Sequence, residues 1–145
     1  MHQFDKLEME SLTTAEGGED EHKLFVAIQE KLTQLLGIPY RVITKCTADI
    51  GKPNASGVDI DSWLPGQGKY RETHTADYMT DYQARRLKTR VRRIDDQVQF
   101  VHTNDATAFA LSRTPIAILE NFQDEHGDVV VPEVLRPFMG GKEKI

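Results

Sequence analysis

The sequence predicts an α+β fold, in which helices flank a largely antiparallel sheet. Extended segments separated by short turns outnumber the helical patterns along the 145 residues. Residues 88–94 and 98–102 are joined across Asp95 and Asp96, which predicts a β-hairpin and therefore antiparallel neighbours. The length of the chain is that of one ordinary domain, so we expect a single core.

The first half of the chain contains one helix and four predicted strands. Residues 2–9 alternate so that Phe4 and Glu8 share one face of a strand. Residues 19–36 place apolar side chains at helical spacing behind an acidic first turn, and Gly37 marks the end of this helix. The remaining predicted strands are 40–44, 58–64 and 69–74, with a polar loop at 47–57.

The second half is predicted to hold a short helix at 77–87, the hairpin, a further extended piece and a second long helix. Ser112 caps this helix in our prediction, and the helix continues to Gln123. This start puts Pro115 at the third helical position, where its missing amide proton costs no intrahelical bond. Residues 129–141 predict a short apolar strand that ends in a loop.

Charge and composition exclude several classes of protein. Lys and Arg number 18 against 23 Asp and Glu, so the net charge of −5 leaves no general basic surface for nucleic acid. No apolar stretch approaches the ~20 residues of a membrane-spanning helix, and we expect a cytoplasmic protein without membrane contact. Cys46 is a single cysteine, which excludes an intrachain disulfide. The five histidines show no spacing typical of a zinc site.

Two short segments could bind a phosphate or a metal ion. Arg113 lies in the first turn of the predicted second helix, where free amides favour an anion, although its spacing alone favours an exposed arginine paired with an acid. Glu72 offers a hard oxygen ligand for magnesium beside Thr75, and the alternative is a surface salt bridge to Arg71. In an unbroken strand Glu72 and Thr75 face opposite ways, so a shared metal ion requires the chain to turn between them.

A basic stripe spans residues 85–93 and contains six Lys and Arg side chains in RRLKTRVRR. Two interpretations remain open for it. The stripe is either a solvated face with internal ion pairs, or a local surface that contacts RNA or nucleotide phosphates.

The order and wording of the motifs carry more information than any one of them. They are HQFDKLEM, CTADIG, VDIDSWLPGQGKYRETHT, DYQARRLKTRVRR, VHTNDATAFALSRTPIAILENFQ and VVVPEVLRPFMGG. Together they resemble the seryl-tRNA synthetases of the bacterial and organellar type, which are class II aminoacyl-tRNA synthetases. The resemblance covers nearly all of residues 1–145 and matches the C-terminal portion of the catalytic domain, from the end of the second class II motif through the third.

The resemblance implies a serine–tRNA ligase that uses ATP and Mg²⁺ to make seryl adenylate and then charges serine tRNA, as a homodimer. It also assigns roles to residues. Phe4 matches the ring that stacks on adenine, and Arg113 matches the arginine on the γ-phosphate. Glu72 and Thr75 match the magnesium site, and Glu8 matches the acid that receives the serine ammonium near ATP. Thr107 matches the hydroxyl residue of the serine site, beside Asp105.

Two departures from the family pattern bear on function. Asp105 stands where the family usually has asparagine, and Thr75, Ala76 and Asp77 replace Ser, Cys and Ser. The N-terminal coiled-coil arm, the first class II motif and the front half of the second have no counterpart here, so we expect this fragment to be inactive by itself. The alternative is a non-catalytic, synthetase-like module that binds a nucleotide or another protein.

Overall fold

A five-stranded antiparallel sheet forms the centre of the computed structural model, which describes residues 2–145. The spatial order of its strands is β1-β7-β4-β3-β2, and every pair is antiparallel, as the sequence predicted. Two further strands, β5 and β6, pair as a separate ribbon. The strands are β1 (Lys6–Thr13), β2 (Tyr40–Thr44), β3 (Ser56–Leu64), β4 (Lys69–Tyr78), β5 (Arg90–Arg92), β6 (Val98–Phe100) and β7 (His102–Ala110).

Three α-helices flank the sheet, which confirms the predicted α+β class. They are α1 (Gly18–Leu36), α2 (Tyr82–Leu87) and α3 (Arg113–Phe122). Short 3₁₀ helices occupy Pro65–Gln67 and Glu133–Met139. The predicted strand in the tail is reduced to isolated bridges, at Val129 with Gln123 and at Val130 with Lys144.

Helix α1 covers one face of the sheet. Phe25 packs against Ala76 and Ala106 in a small apolar cluster. The ring nitrogen Nε2 of His22 lies 3.0 Å from the main-chain oxygen of Ala76. The fully buried Gln29 side chain donates to main-chain oxygens of β4 and β7, so the helix is fixed to the sheet by hydrogen bonds as well as by packing.

The contacts of Gln29 mark the place where β4 and β7 separate. These strands pair only over Ala76–Tyr78 and Asn104–Ala106. Beyond that point Gln29 Nε2 donates to the main-chain oxygens of Thr75 at 2.7 Å and Thr107 at 2.8 Å. These two residues no longer pair with each other in the sheet, so the Gln29 amide satisfies their oxygens instead. The separation opens a cleft between the two strands.

A second cluster supports α3 at the end of the sheet. Ala117 of α3 is fully buried and packs with Leu36, Ile38 and Leu64. The side-chain amide of Asn121 donates to the main-chain oxygen of Trp63 at 2.9 Å. These contacts hold α3 against the end of β3, and Arg113 at its N-terminus contacts Glu72 of β4.

Several predicted boundaries are wrong, because pairing between distant strands decides them. The first strand is Lys6–Thr13 rather than 2–9, and β4 continues to Tyr78 rather than ending at residue 74. The helix predicted at 77–87 is only Tyr82–Leu87, since residues 77 and 78 still pair with β3 and β7. The ribbon strands are shorter than predicted, and His102 belongs to β7.

Candidate active site

The cleft between β4 and β7 has a volume of about 430 Å³. The N-terminus of α3 and the segment before β1 close its sides. Five of the seven residues that the sequence assigned to function lie along it. The residues that line the cleft are Phe4, Lys6, Glu72, Thr73, Thr75, Thr107, Ala110, Ser112, Arg113 and Ile116.

A β-bulge in β4 turns Glu72 and Thr75 to the same side. Asp61 of β3 pairs with Glu72 while the preceding Ile60 pairs with His74, so Thr73 is the extra residue. One extra residue shifts the alternation of side chains along the strand. The sequence required a turn between Glu72 and Thr75 for a shared site, and the bulge supplies it.

Arg113 and Glu72 form a pair across the cleft. Arg113 Nη1 donates to the main-chain oxygen of Glu72 at 2.7 Å and lies 3.3 Å from its carboxylate Oε1. Both side chains remain about half exposed. Arg71 donates instead to Gln67 at 3.0 Å, so the salt bridge considered for Glu72 has a different partner. The side chain of Ser112 occupies the N-cap position but makes no capping hydrogen bond.

Phe4, which precedes β1, and Lys6, the first residue of β1, form one wall of the cleft. Phe4 lies outside the strand and is 48% exposed, so one part of its ring is free for a planar ligand. Lys6 Nζ lies 3.0 Å from Glu8 Oε2. The Glu8 side chain does not line the cleft, but it forms an ion pair with Lys6, which does. The sequence analysis missed Lys6 as a site residue, although it shares the predicted face of Phe4 and Glu8.

Thr107 and Asp105 both lie on β7 but line different depressions of the surface. Thr107 lines the cleft, whereas Asp105 lies beside Glu10 in a neighbouring depression of about 340 Å³. Burial, followed by the negative charges of Asp77 and Glu8, raises the pKa of Asp105 to about 6. Asp105 therefore does not line the cleft, but it lies close enough to Glu8 and to the cleft residue Lys6 for their charges to act on it.

Lys45, at the end of β2, is a site residue that the sequence analysis missed. Its ammonium donates to Thr75 Oγ1 at 2.6 Å and to Asp77 Oδ1 at 3.0 Å, and it lies 3.2 Å from Asp59 Oδ1. The side chain is only 11% exposed. Burial lowers the pKa of Lys45, but the hydrogen bond and attraction of Asp77 and the attraction of Asp59 outweigh it, so the pKa lies above its ordinary value.

The arginines of the basic stripe, residues 85–93, have partners within the chain. Its arginines pair with acids or lie over aromatic rings, as expected for a solvated face with internal ion pairs. The partners are Asp81 for Arg85, Asp96 for Arg92 and Glu16 for Arg93, and the rings are those of Tyr82 for Arg86 and Phe100 for Arg90.

The class of protein follows from the family comparison. Residues 1–122 match the family model described as the tRNA synthetase class II core domain (G, H, P, S and T). The chain belongs to this family, and the resemblance noted in the sequence is confirmed. No helix among residues 2–145 has both the length and the apolar character to cross a membrane.

The curated relatives narrow the similarity to one branch. The chain is 44% identical over 143 residues to the serine–tRNA ligase of Dictyoglomus thermophilum and 45% identical over 140 residues to that of Thermodesulfovibrio yellowstonii. These matches cover 99% and 96% of the chain but 34% and 33% of the relatives. The chain thus spans about a third of the length of the curated relatives it matches.

Two solved structures share the fold over the whole chain. The seryl-tRNA synthetase of Pyrococcus horikoshii, complexed with ATP, superimposes with a TM-score of 0.96 at 44% identity, and the chain covers 32% of it. The cytoplasmic serine–tRNA ligase of Naegleria fowleri, in complex with AMP, gives a TM-score of 0.93 at 36% identity, with 34% covered.

Proposed function

We propose that this chain forms the ATP- and serine-binding part of a serine–tRNA ligase. In this proposal the whole enzyme activates serine as seryl adenylate and transfers the seryl group to serine tRNA. The observation that carries the proposal is the convergence of an aromatic ring, a carboxylate and a guanidinium, those of Phe4, Glu72 and Arg113, on one cleft. Similarity to serine–tRNA ligases, one of them complexed with ATP, supports the same function.

The nucleotide would lie along the cleft from Phe4 to α3. The exposed ring of Phe4 offers a stacking surface for adenine. Arg113 has guanidinium donors beyond the Nη1 that contacts Glu72, and a phosphate at the N-terminus of α3 would also meet the positive end of the helix dipole. In the free chain the charges of Arg113 and Glu72 partly neutralise each other. On binding, the guanidinium of Arg113 would leave the Glu72 carboxylate and contact the phosphates of the nucleotide.

Magnesium fits one part of the donor set. A magnesium ion that arrives with ATP needs only one or two protein carboxylates, because phosphates and water supply the other oxygens. Glu72 would hold such an ion, which would supply positive charge against the phosphates. Thr75 offers a hydroxyl on the same wall, but its oxygen already accepts a hydrogen bond from Lys45. Among residues 2–145, no cluster of three or more acidic, histidine or cysteine side chains could hold a metal ion without the nucleotide.

The serine site in this proposal lies toward β7. The Thr107 side chain lines the cleft and could bind the small polar substrate, while Glu8 lies behind Lys6 as a receptor for its ammonium group. Asp105 would act from the adjacent depression through its charge. Selectivity would depend on polar groups that a substrate without the hydroxyl leaves unpaired.

The chemical step needs no protein nucleophile, because the serine carboxylate attacks the α-phosphorus and pyrophosphate leaves. The residues of the chain act by placing charge and by orienting the two substrates. Arg113 would oppose the negative charge that develops on the leaving phosphates. Lys6, which lines the same cleft, would add positive charge there.

Calorimetric titration of the 145-residue chain with Mg²⁺ and ATP, with and without serine, tests this function. We expect ATP to bind and serine to tighten its binding. Replacing Arg113 with alanine should weaken ATP binding by about tenfold to a hundredfold, the range for a charge-assisted hydrogen bond. Arg92→Ala is the matched control, since Arg92 is exposed and lies on the distant ribbon.

Each other outcome has a definite meaning. ATP binding that is insensitive to serine would favour the non-catalytic nucleotide-binding module over the ligase. No ATP binding, or equal losses in Arg113→Ala and Arg92→Ala, would contradict the assignment of the cleft.

Serine tRNA as the acceptor, a homodimer and a cytoplasmic location are further parts of the proposal. They rest on the similarity to serine–tRNA ligases. Charging of serine tRNA by the enzyme of full length would test the first of them.

A further inference from the structure

A nearly buried lysine, Lys45, contacts the cleft residue Thr75 and is not part of the motifs that identify the family resemblance. Lys45 follows β2, and its main-chain N–H continues the sheet by donating to Gly57 at 3.0 Å. Its ammonium has three hydrogen atoms to donate. Three oxygens surround it, from Thr75, Asp77 and Asp59, at 2.6, 3.0 and 3.2 Å.

This arrangement explains how the chain accommodates Asp77, one of its departures from the family pattern. The Asp77 carboxylate faces Lys45, and a Cβ on Gly57 would lie 2.5 Å from Asp77 Oδ1. Asp77 and Lys45 therefore fill the space above Gly57 together. The ammonium neutralises the Asp77 carboxylate and also contacts Thr75, whose side chain lines the cleft.

The same lysine determines what the Thr75 hydroxyl can do. A hydroxyl oxygen has two lone pairs and one proton, and Lys45 occupies one lone pair. A magnesium ion on the other lone pair would be close to the ammonium, and the two positive charges would repel each other. The ammonium also draws electron density from the oxygen, which makes the hydroxyl a poorer metal ligand and a stronger hydrogen-bond donor.

We propose that Lys45 is a positioning residue that holds the Thr75 hydroxyl as a hydrogen-bond donor to an anionic oxygen of the bound nucleotide, rather than as a ligand of the metal ion. Glu72 is then the protein ligand of the metal, and Thr75 contacts the nucleotide directly. This inference rests on the proposed function, because it requires ATP in the same cleft.

The first test is ATP affinity of Thr75→Val, measured by calorimetry with Mg²⁺ and again with EDTA. Loss of a donor to an anionic oxygen should weaken ATP by about tenfold under both conditions. Thr44→Val is the matched control, since Thr44 is exposed on β2. A loss seen only with Mg²⁺ would show that Thr75 is a metal ligand and would overturn the inference, as would no loss in either condition.

The second test releases Thr75 from Lys45. In Lys45→Met, and in the double variant Lys45→Met with Asp77→Ser, the freed hydroxyl can ligate the metal. The affinity of the ATP complex for Mn²⁺, followed by electron paramagnetic resonance, should rise by about tenfold, the scale of outer-shell effects on metal sites. An unchanged or lower Mn²⁺ affinity overturns the inference, and Lys52→Met is the control for the loss of a lysine.

The two proposals fail in distinguishable ways. If the unmodified chain does not bind ATP, the proposed function and this inference fail together. If it binds ATP but the Thr75 and Lys45 variants behave oppositely to expectation, only the inference fails. Thr75→Val preserves side-chain shape, so it decides the question even if the Lys45 variants do not fold, and circular dichroism melting checks each variant.

Discussion

Asp105→Asn should stabilise the protein at neutral pH and not at acidic pH. The pKa of Asp105 is raised from 3.8 to about 6, first by burial and then by the charges of Asp77 and Glu8. Since the folded state holds this proton more tightly than the unfolded state, stability is highest below the unfolded pKa and falls as pH rises through about 6. Asparagine carries no charge, so the stability of the variant does not fall in this way as the pH rises.

The size of the effect follows from the shift. One unit of pKa is about 1.4 kcal/mol, so a shift of roughly two units sets an upper limit of about 3 kcal/mol. Asp105 is only half buried, and solvent screening reduces the expected gain to about 1–2 kcal/mol at pH 8. At pH 4 the aspartate is protonated in the folded protein, and the two chains should differ little.

Urea unfolding at pH 4 and pH 8 measures this difference. Asp49→Asn is the matched control, since Asp49 is exposed and lies in the loop between β2 and β3. The reasoning would be refuted if Asp105→Asn gave the same change at both pH values, or if the variant were less stable than the unmodified chain at pH 8.

Two further predictions concern stability and are checked by urea unfolding at pH 7. Lys45→Met should lower the free energy of unfolding by about 3 kcal/mol, because it leaves two nearly buried carboxylates without their cation, whereas Lys52→Met should have little effect. A loss below about 1 kcal/mol for Lys45→Met would contradict the importance of this ion cluster. Gly18→Ala should cost about 1–3 kcal/mol, since its Cβ would lie 2.5 Å from the ring of Tyr78, and the neighbouring Gly17→Ala, with ordinary contacts, should cost less. Equal costs at the two glycines would contradict the close approach to Tyr78.

The elements that local chemistry determines were predicted well. The apolar stripe of α1 ends at Leu36, and Gly37 adopts a φ of +71° as its C-cap. Pro115 is the third residue of α3, as the missing amide proton requires. In these cases the residues that set the boundary are adjacent in sequence.

The boundaries that depend on distant partners were not predictable from the local pattern. Tyr78 remains in a strand because it pairs with Asn104 and Ser56, although the residues that follow it are compatible with a helix. Thr80 then adopts a φ of +49°, which separates this strand from α2. The first strand likewise extends to Thr13 because β7 supplies partners as far as His102.

In the candidate site, too, the sequence indicated residues that lie within local motifs but not features that depend on pairing between strands. The motifs indicated Glu72, Thr75 and Arg113, but only the register between β3 and β4 reveals the bulge that brings the first two to one side. Lys45 was missed because its partners lie on two other strands, and no spacing along the chain connects them.

Amide chemical-shift mapping by NMR, on adding Mg²⁺ and ATP to the chain, tests most directly whether the cleft binds the nucleotide. The largest changes should fall on the residues that line one cleft, among them Phe4, Glu72, Thr73, Thr75, Thr107 and Arg113. Changes centred instead on the depression of Asp105, or on the ribbon of residues 90–100, would contradict the assignment of the nucleotide to this cleft.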